Sequence, residues 1–172
     1  MQAPLITIYA RVIDNLTGKE LLGFDYAHNQ SAWYYGKCNS IDGGESQYIV
    51  EFDIWNNERG FNAGMYDHRC QDAKRCRLNI WPNQGYQINN NDLFNMKDPF
   101  MYARCLTTEI GEYQPIDVDK HLRIIGNVNP NIDSLKGSGD HAIIQTKIII
   151  PPNSNLENKR YDFSFSFYYD CD

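Results

Sequence analysis

Histidines, cysteines and carboxylates are the side chains that most often carry catalysis or metal binding, and the spacing here suits neither. The four histidines, His28, His68, His121 and His141, are scattered, and no pair has a metal-ligand spacing such as H-x3-H or H-E-x-x-H. Asp67-His68 and Asp140-His141 each set an acid beside a base. With Cys70 as nucleophile they would make an arrangement in which a carboxylate orients an imidazole that activates a thiol. Nothing in the sequence brings the three together, so an enzyme built on Cys70 stands third among the readings. Gly137-Ser138-Gly139-Asp140-His141-Ala142 satisfies the pattern G-x-G-x-x-A. Pyrophosphate binding needs a strand before such a turn and a helix after it; here polar Asn-Pro residues precede and a β-branched run follows, which predicts a glycine turn. Asn127, Asn129, Asn131 and Asp133 alternate as oxygen ligands do at the start of a calcium loop. The acidic closing residue is missing, with Lys136 and Gly137 in its place, so the segment reads as an Asx-rich turn. The sequence predicts no catalytic residue, no metal and no cofactor.

Binding has better candidates. Trp33, Tyr34 and Tyr35 stand near Asn29 and Gln30, and Trp81 stands near Asn83 and Gln84. Apolar plates with hydrogen-bonding neighbours suit a protein interface or a sugar face, although core packing is the commoner use of such rings. Trp33, Tyr34, Tyr35, Trp81 and Asn83 are therefore the predicted binding residues.

The elements that must position them are strands. Tyr161 to Cys171 alternates between Phe or Tyr and Ser or Asp, a period of two with one buried face. The same signal places Ile6 to Val12 and Leu21 to Tyr26 around the turn Asp14-Asn15-Leu16-Thr17-Gly18-Lys19. It also places Tyr48, Val50, Phe52 and Ile54 on one face, with Glu51 and Asp53 on the other. Cys76, Leu78 and Ile80, then Met101, Ala103 and Cys105, then Leu122, Ile124 and Val128, and finally Ala142 to Ile150 supply further strands. About eight strands between polar turns predict an all-β fold, a single-domain antiparallel β-sandwich over residues 1–172 with long Asn- and Gly-rich loops. Ala142 to Ile150 is expected to pair with the last strand as a hairpin with a long connection. Phe163, Phe165 and Phe167 would then lie in the core, with Ser164 and Ser166 outward.

Composition narrows the partners. The net charge of −6 and pI of about 5.1, without a basic stripe, leave no footprint for a phosphate backbone. Nucleic acid is excluded as an expected partner. No basic segment followed by an apolar run opens the chain and no apolar run reaches a membrane span, so synthesis in the cytoplasm without a signal peptide is expected. Five cysteines leave at least one unpaired within the chain. Buried free thiols are the first reading and a Cys70–Cys76 bridge the second.

The segment from Ile8 to Phe24 resembles the opening of bacterial and phage Ig-like, or transthyretin-like, domains, which run strand, Asp-x-x-Thr-Gly-Lys turn, then strand after a Leu-x-Gly step. Asp14, Thr17, Gly18, Leu22 and Gly23 match, while the proline often found near Glu20 or Leu21 is absent. Phe52-Asp53-Ile54-Trp55-Asn56-Asn57-Glu58 is similar to segments of phage virion proteins. These resemblances imply an Ig-like or jelly-roll-like module without catalytic residues. The expected role is an accessory structural protein of a virus or phage particle, particle-associated and held by contacts with other structural proteins or with itself. A carbohydrate-binding lectin that uses the surface aromatics is the alternative.

Overall fold

The computed structural model describes residues 2–27, 33–37, 44–58, 60, 70–82, 101–107, 111–116, 122–123, 127–131, 141–150 and 160–171. Eleven strands occur among them: β1 Ile6–Asp14, β2 Glu20–Ala27, β3 Trp33–Lys37, β4 Gly44–Glu45, β5 Tyr48–Asn56, β6 Lys74–Pro82, β7 Met101–Cys105, β8 Gln114–Ile116, β9 Leu122–Arg123, β10 His141–Ile150 and β11 Arg160–Asp170. The chain is all-β over these residues. Every strand pair is antiparallel. One sheet has the order β2-β1-β5-β10-β7-β8, with β4 also paired to β10; the other has the order β3-β11-β6-β9. Neither sheet closes on itself. No helix among the described residues is long and apolar enough to cross a membrane.

Local chemistry explains the elements. The β1–β2 turn forms because the Asp14 carboxylate accepts the backbone N–H groups of Leu16 and Thr17, each at 2.9 Å. Gly18 supplies the left-handed backbone, φ 72°, and its N–H bonds the Asp14 carbonyl at 2.8 Å. The bond from Thr17 is the main reason the Asp14 carboxyl titrates below its ordinary range. In β5 the alternation holds, with Val50, Phe52 and Ile54 buried on the core side. The two sheets meet there. Phe52 of β5 packs 4.7 Å from Phe165 of β11, and Trp33 of β3 meets the same ring edge-on at 6.3 Å. Burying rings such as Phe163, Phe165 and Phe167 contributes roughly 2 kcal/mol apiece. Gly36 of β3, φ 77°, lies so close to the other sheet that a Cβ would sit 2.6 Å from Cβ of Gln47.

Two expectations are corrected. β10 and β11 do not form a hairpin: β10 lies between β5 and β7 in the larger sheet, whereas β11 lies between β3 and β6 in the other. A period of two shows that a strand has a core face and is silent about which sheet supplies it. Ser164 and Ser166, expected on an open polar face, are 5% exposed. The strand count also exceeds the expected one, because short pieces such as β4 and β8 carry too few residues to show a period. Of the predicted Leu122 to Val128 strand, the described residues show Leu122–Arg123 as a strand and Val128 in an isolated bridge to Ala73. The glycine turn predicted at Gly137 to Gly139 lies outside the described residues.

Candidate functional site

The outermost strands of the two sheets are unequal. Among the described residues β9 has two residues, β8 three including Pro115, and β3 five, while β2 runs for eight. Short strands and proline blunt an edge against pairing, and a long edge invites it. Leu5, Leu16, Leu21, Leu22 and Tyr26 are exposed large apolar residues on or beside the β1–β2 hairpin; elsewhere among the described residues only Leu106 and Tyr168 are of that kind. The register of β2 against β1 shifts twice, between Ala10 and Val12 and between Val12 and Ile13. These bulges flank Leu22, one at Gly23-Phe24 and one at Leu21, and they twist the edge away from a flat ladder.

A cleft of about 750 Å³ opens beside this edge, lined among others by Leu5, Ile6, Ile8, Tyr26, Phe167 and Tyr169. It lies where β1 of the larger sheet approaches the end of β11. Tyr26 is held at its mouth by Tyr9, edge-on with ring centres 6.2 Å apart, and the Tyr9 hydroxyl donates to Glu58 Oε2 at 2.7 Å. Tyr26 stands opposite Tyr9, away from the core side of β1, whereas Leu22 stands opposite Val12 on the other side, so the exposed apolar residues flank the edge strand on both sides.

The outward face of the larger sheet is polar and internally bonded. Arg11, Glu51, Gln145 and Arg104 stand opposite one another in register on β1, β5, β10 and β7. Arg11 Nη2 lies 3.1 Å from both Glu51 oxygens, Gln145 Nε2 donates to Glu51 Oε2 at 3.0 Å, and Arg104 donates to Gln145 Oε1 from Nε at 2.9 Å and Nη2 at 2.6 Å. Glu51 is 2% exposed, a burial that would cost several kcal/mol without these partners. Arg104 and Lys147 lie over the Tyr113 ring at 4.6 and 4.1 Å. The row cross-links four strands and leaves little of Glu51 for a ligand. Near it, His141 stacks on Trp55 at 4.1 Å and lies 3.7 Å from Asp53, yet Trp55 is itself only 2% exposed.

The chain matches no protein-family model, no curated protein and no solved structure.

The predicted binding residues separate. Tyr35 is wholly buried, its ring edge-on to Phe163 at 5.4 Å and its hydroxyl bonded to Thr146, so it is a core residue and not a surface plate. Trp33 is half-buried against the core, and its indole N–H is buried without a hydrogen-bond partner among the described residues. The side chains of Tyr34 and Trp81, and the whole of Asn83, lie outside the described residues. The structure therefore brings Trp33 and Tyr35 together, facing inward.

Other candidates resolve into structure. Cys70, Cys76 and Cys105 are buried free thiols and Cys171 an exposed one, so the alternative Cys70–Cys76 bridge is not formed. Burial pushes the Cys70 and Cys76 thiols up, the opposite of nucleophile activation. Cys38, His28, His68 and His121 lie outside the described residues, as do Asp67 and Asp140. Among the described residues no three His, Cys, Asp or Glu side chains stand together as metal ligands. In the Asx-rich segment Asn131 is buried and its amide donates to the Glu58 carbonyl at 3.0 Å. Asp133 lies outside the described residues. The buried amide that organises this end is Asn56. It accepts from the Leu5 N–H at 3.0 Å and the Cys70 thiol at 3.3 Å, and donates to the carbonyls of Gln71 at 2.9 Å and Val128 at 3.0 Å.

Sequence reasoning passed over Leu21, Leu22 and Tyr26. The available signal was the adjacent Leu21-Leu22, two apolar residues in succession that break the alternation of β2.

Proposed function

We propose that the two facing sheets form one β-sandwich that works by attachment, a non-enzymatic accessory structural protein of a virus or phage particle that engages other structural proteins through β2. The observation that carries this reading is the exposure of Leu5, Leu21, Leu22 and Tyr26, by 43 to 52%, on and beside β2, the longest outer strand among the described residues. Apolar area so concentrated marks a contact surface, because isolated exposed apolar residues are normally dispersed. The Ig-like resemblance of the same hairpin points to the same use.

The test is co-sedimentation of the purified chain with assembled particles of the virus or phage that encodes it, for the natural sequence and for Leu22→Lys with Tyr26→Ser. Binding that the double variant loses, with its melting temperature retained, supports the reading. A chain that stays monomeric and free of particles at every concentration overturns it.

A further inference from the structure

A second surface, chemically unlike the first, lies on the other sheet where β6 and β11 meet. Lys74, Arg75 and Arg77 crowd four positions of a chain whose net charge is −6. The register sets Arg77 opposite Tyr168 on one side and opposite Arg123 on the other. Cys76 and Phe167 face the core, so Arg77 and Tyr168 face outward, with Tyr168 44% exposed. Asp170 sits between the arginines, 2.6 Å from Arg75 Nε and 3.4 Å from Arg77 Nη2.

The backbone there is strained. Between the pairs Tyr168↔Arg77 and Asp170↔Lys74, Arg75 and Cys76 stand against Tyr169 alone, which is a β-bulge. Arg75 holds φ 49° at the position where a bulge of this hand ordinarily carries glycine. Packing does not require an arginine, since its side chain is 80% exposed. An exposed charged residue kept in a conformation that favours glycine points to use of the side chain itself.

We propose that this corner binds a carboxylate-bearing sugar unit. The Tyr168 ring offers a plate for the apolar face of the sugar, Arg75 and Arg77 offer forked donors that match a planar carboxylate, and Asp170 accepts from hydroxyls. Two guanidinium groups converging on one carboxylate, with Lys74 opposite Asp170 in the register, suit a single anionic unit. A nucleic-acid strand would instead need a basic track along the surface.

Isothermal titration with sialyllactose and with trigalacturonic acid, beside lactose, inorganic phosphate and a single-stranded oligonucleotide, tests this. At least one acidic sugar binds, lactose binds about tenfold more weakly or worse, and Arg77→Gln and Tyr168→Ala each weaken binding by a similar factor. Arg75→Gly is the discriminating variant: it retains or raises the melting temperature because glycine relieves the backbone, and it still loses affinity. The proposal is overturned if neither acidic sugar binds, if lactose binds equally well, if phosphate or the oligonucleotide binds more tightly than the sugars, or if Arg75→Gly keeps full affinity.

Discussion

Tyr35 of β3 and Thr146 of β10 join hydroxyl to hydroxyl across the space between the two sheets, at 2.6 Å. The Thr146 proton is directed to the Val50 carbonyl at 2.9 Å, so Tyr35 is the donor in the pair. Burial raises the phenol far above its ordinary range, and the group stays neutral. Tyr35→Phe removes a donor and leaves Thr146 its other bond, costing about 1 kcal/mol. Thr146→Val strands a buried phenol and costs about 2–3 kcal/mol. Urea midpoints should rank the two in that order. The double variant should be more stable than Thr146→Val alone, because removing the phenol oxygen relieves the stranded group.

Asn56 ties the segment at Leu5, residues 70–71 and Val128 to the end of β5 through all four of its amide bonds. Asn56→Leu leaves a buried N–H and two carbonyls to find other partners, with an expected loss of about 3 kcal/mol or more. Asn56→Asp does no better, since a carboxylate cannot donate to Gln71 and Val128. Hydrogen exchange should show the amides of Leu5, Ala73 and Val128 losing protection first, ahead of those in β5 and β10.

The Lys147 ammonium, 2.8 Å away, holds the Glu45 carboxyl below its ordinary 4.5, with a further bond from Asn15. A carboxyl lowered on folding adds stability that is full above its unfolded value and is lost as pH falls through the folded one. The natural chain should therefore lose more melting temperature between pH 7 and pH 3 than Glu45→Gln does. The difference is small, because the pair is exposed to solvent and salt. Melting curves at low ionic strength at both pH values measure it.

Iodoacetamide should label Cys171 readily under native conditions and leave Cys70, Cys76 and Cys105 unmodified until denaturant is added. Mass spectrometry of the tryptic peptides reads this directly. Rapid native labelling of Cys70 would reopen the nucleophile reading.

The alternating core faces of β1, β5, β6, β7 and β11 were legible in the sequence because each is a local pattern of five or more residues with one apolar side. What was not legible depends on neighbours distant in the chain. Glu51 read as part of an open polar face, yet its partners Arg11 and Gln145 lie 40 and 94 residues away, and they make its burial tolerable. Tyr35 read as a surface plate because its hydroxyl is polar, and the threonine that satisfies it lies 111 residues further on. Within the candidate face, the turn chemistry of Asp14 and Gly18 was evident. The exposure of Leu21, Leu22 and Tyr26 was not, since the sequence does not say which strand lies outermost.

The placement of β11 between β3 and β6 bears on how the chain matures. Its two neighbours, β3 and β6, precede it by about 120 and about 80 residues, so they cannot be joined into one sheet until β11 has been made. Completion of the four-stranded sheet is therefore governed by slow non-local closure. Until β11 arrives, the apolar residues of β3 and β6 lack the strand that joins them, and this is the stage of folding most open to unwanted association.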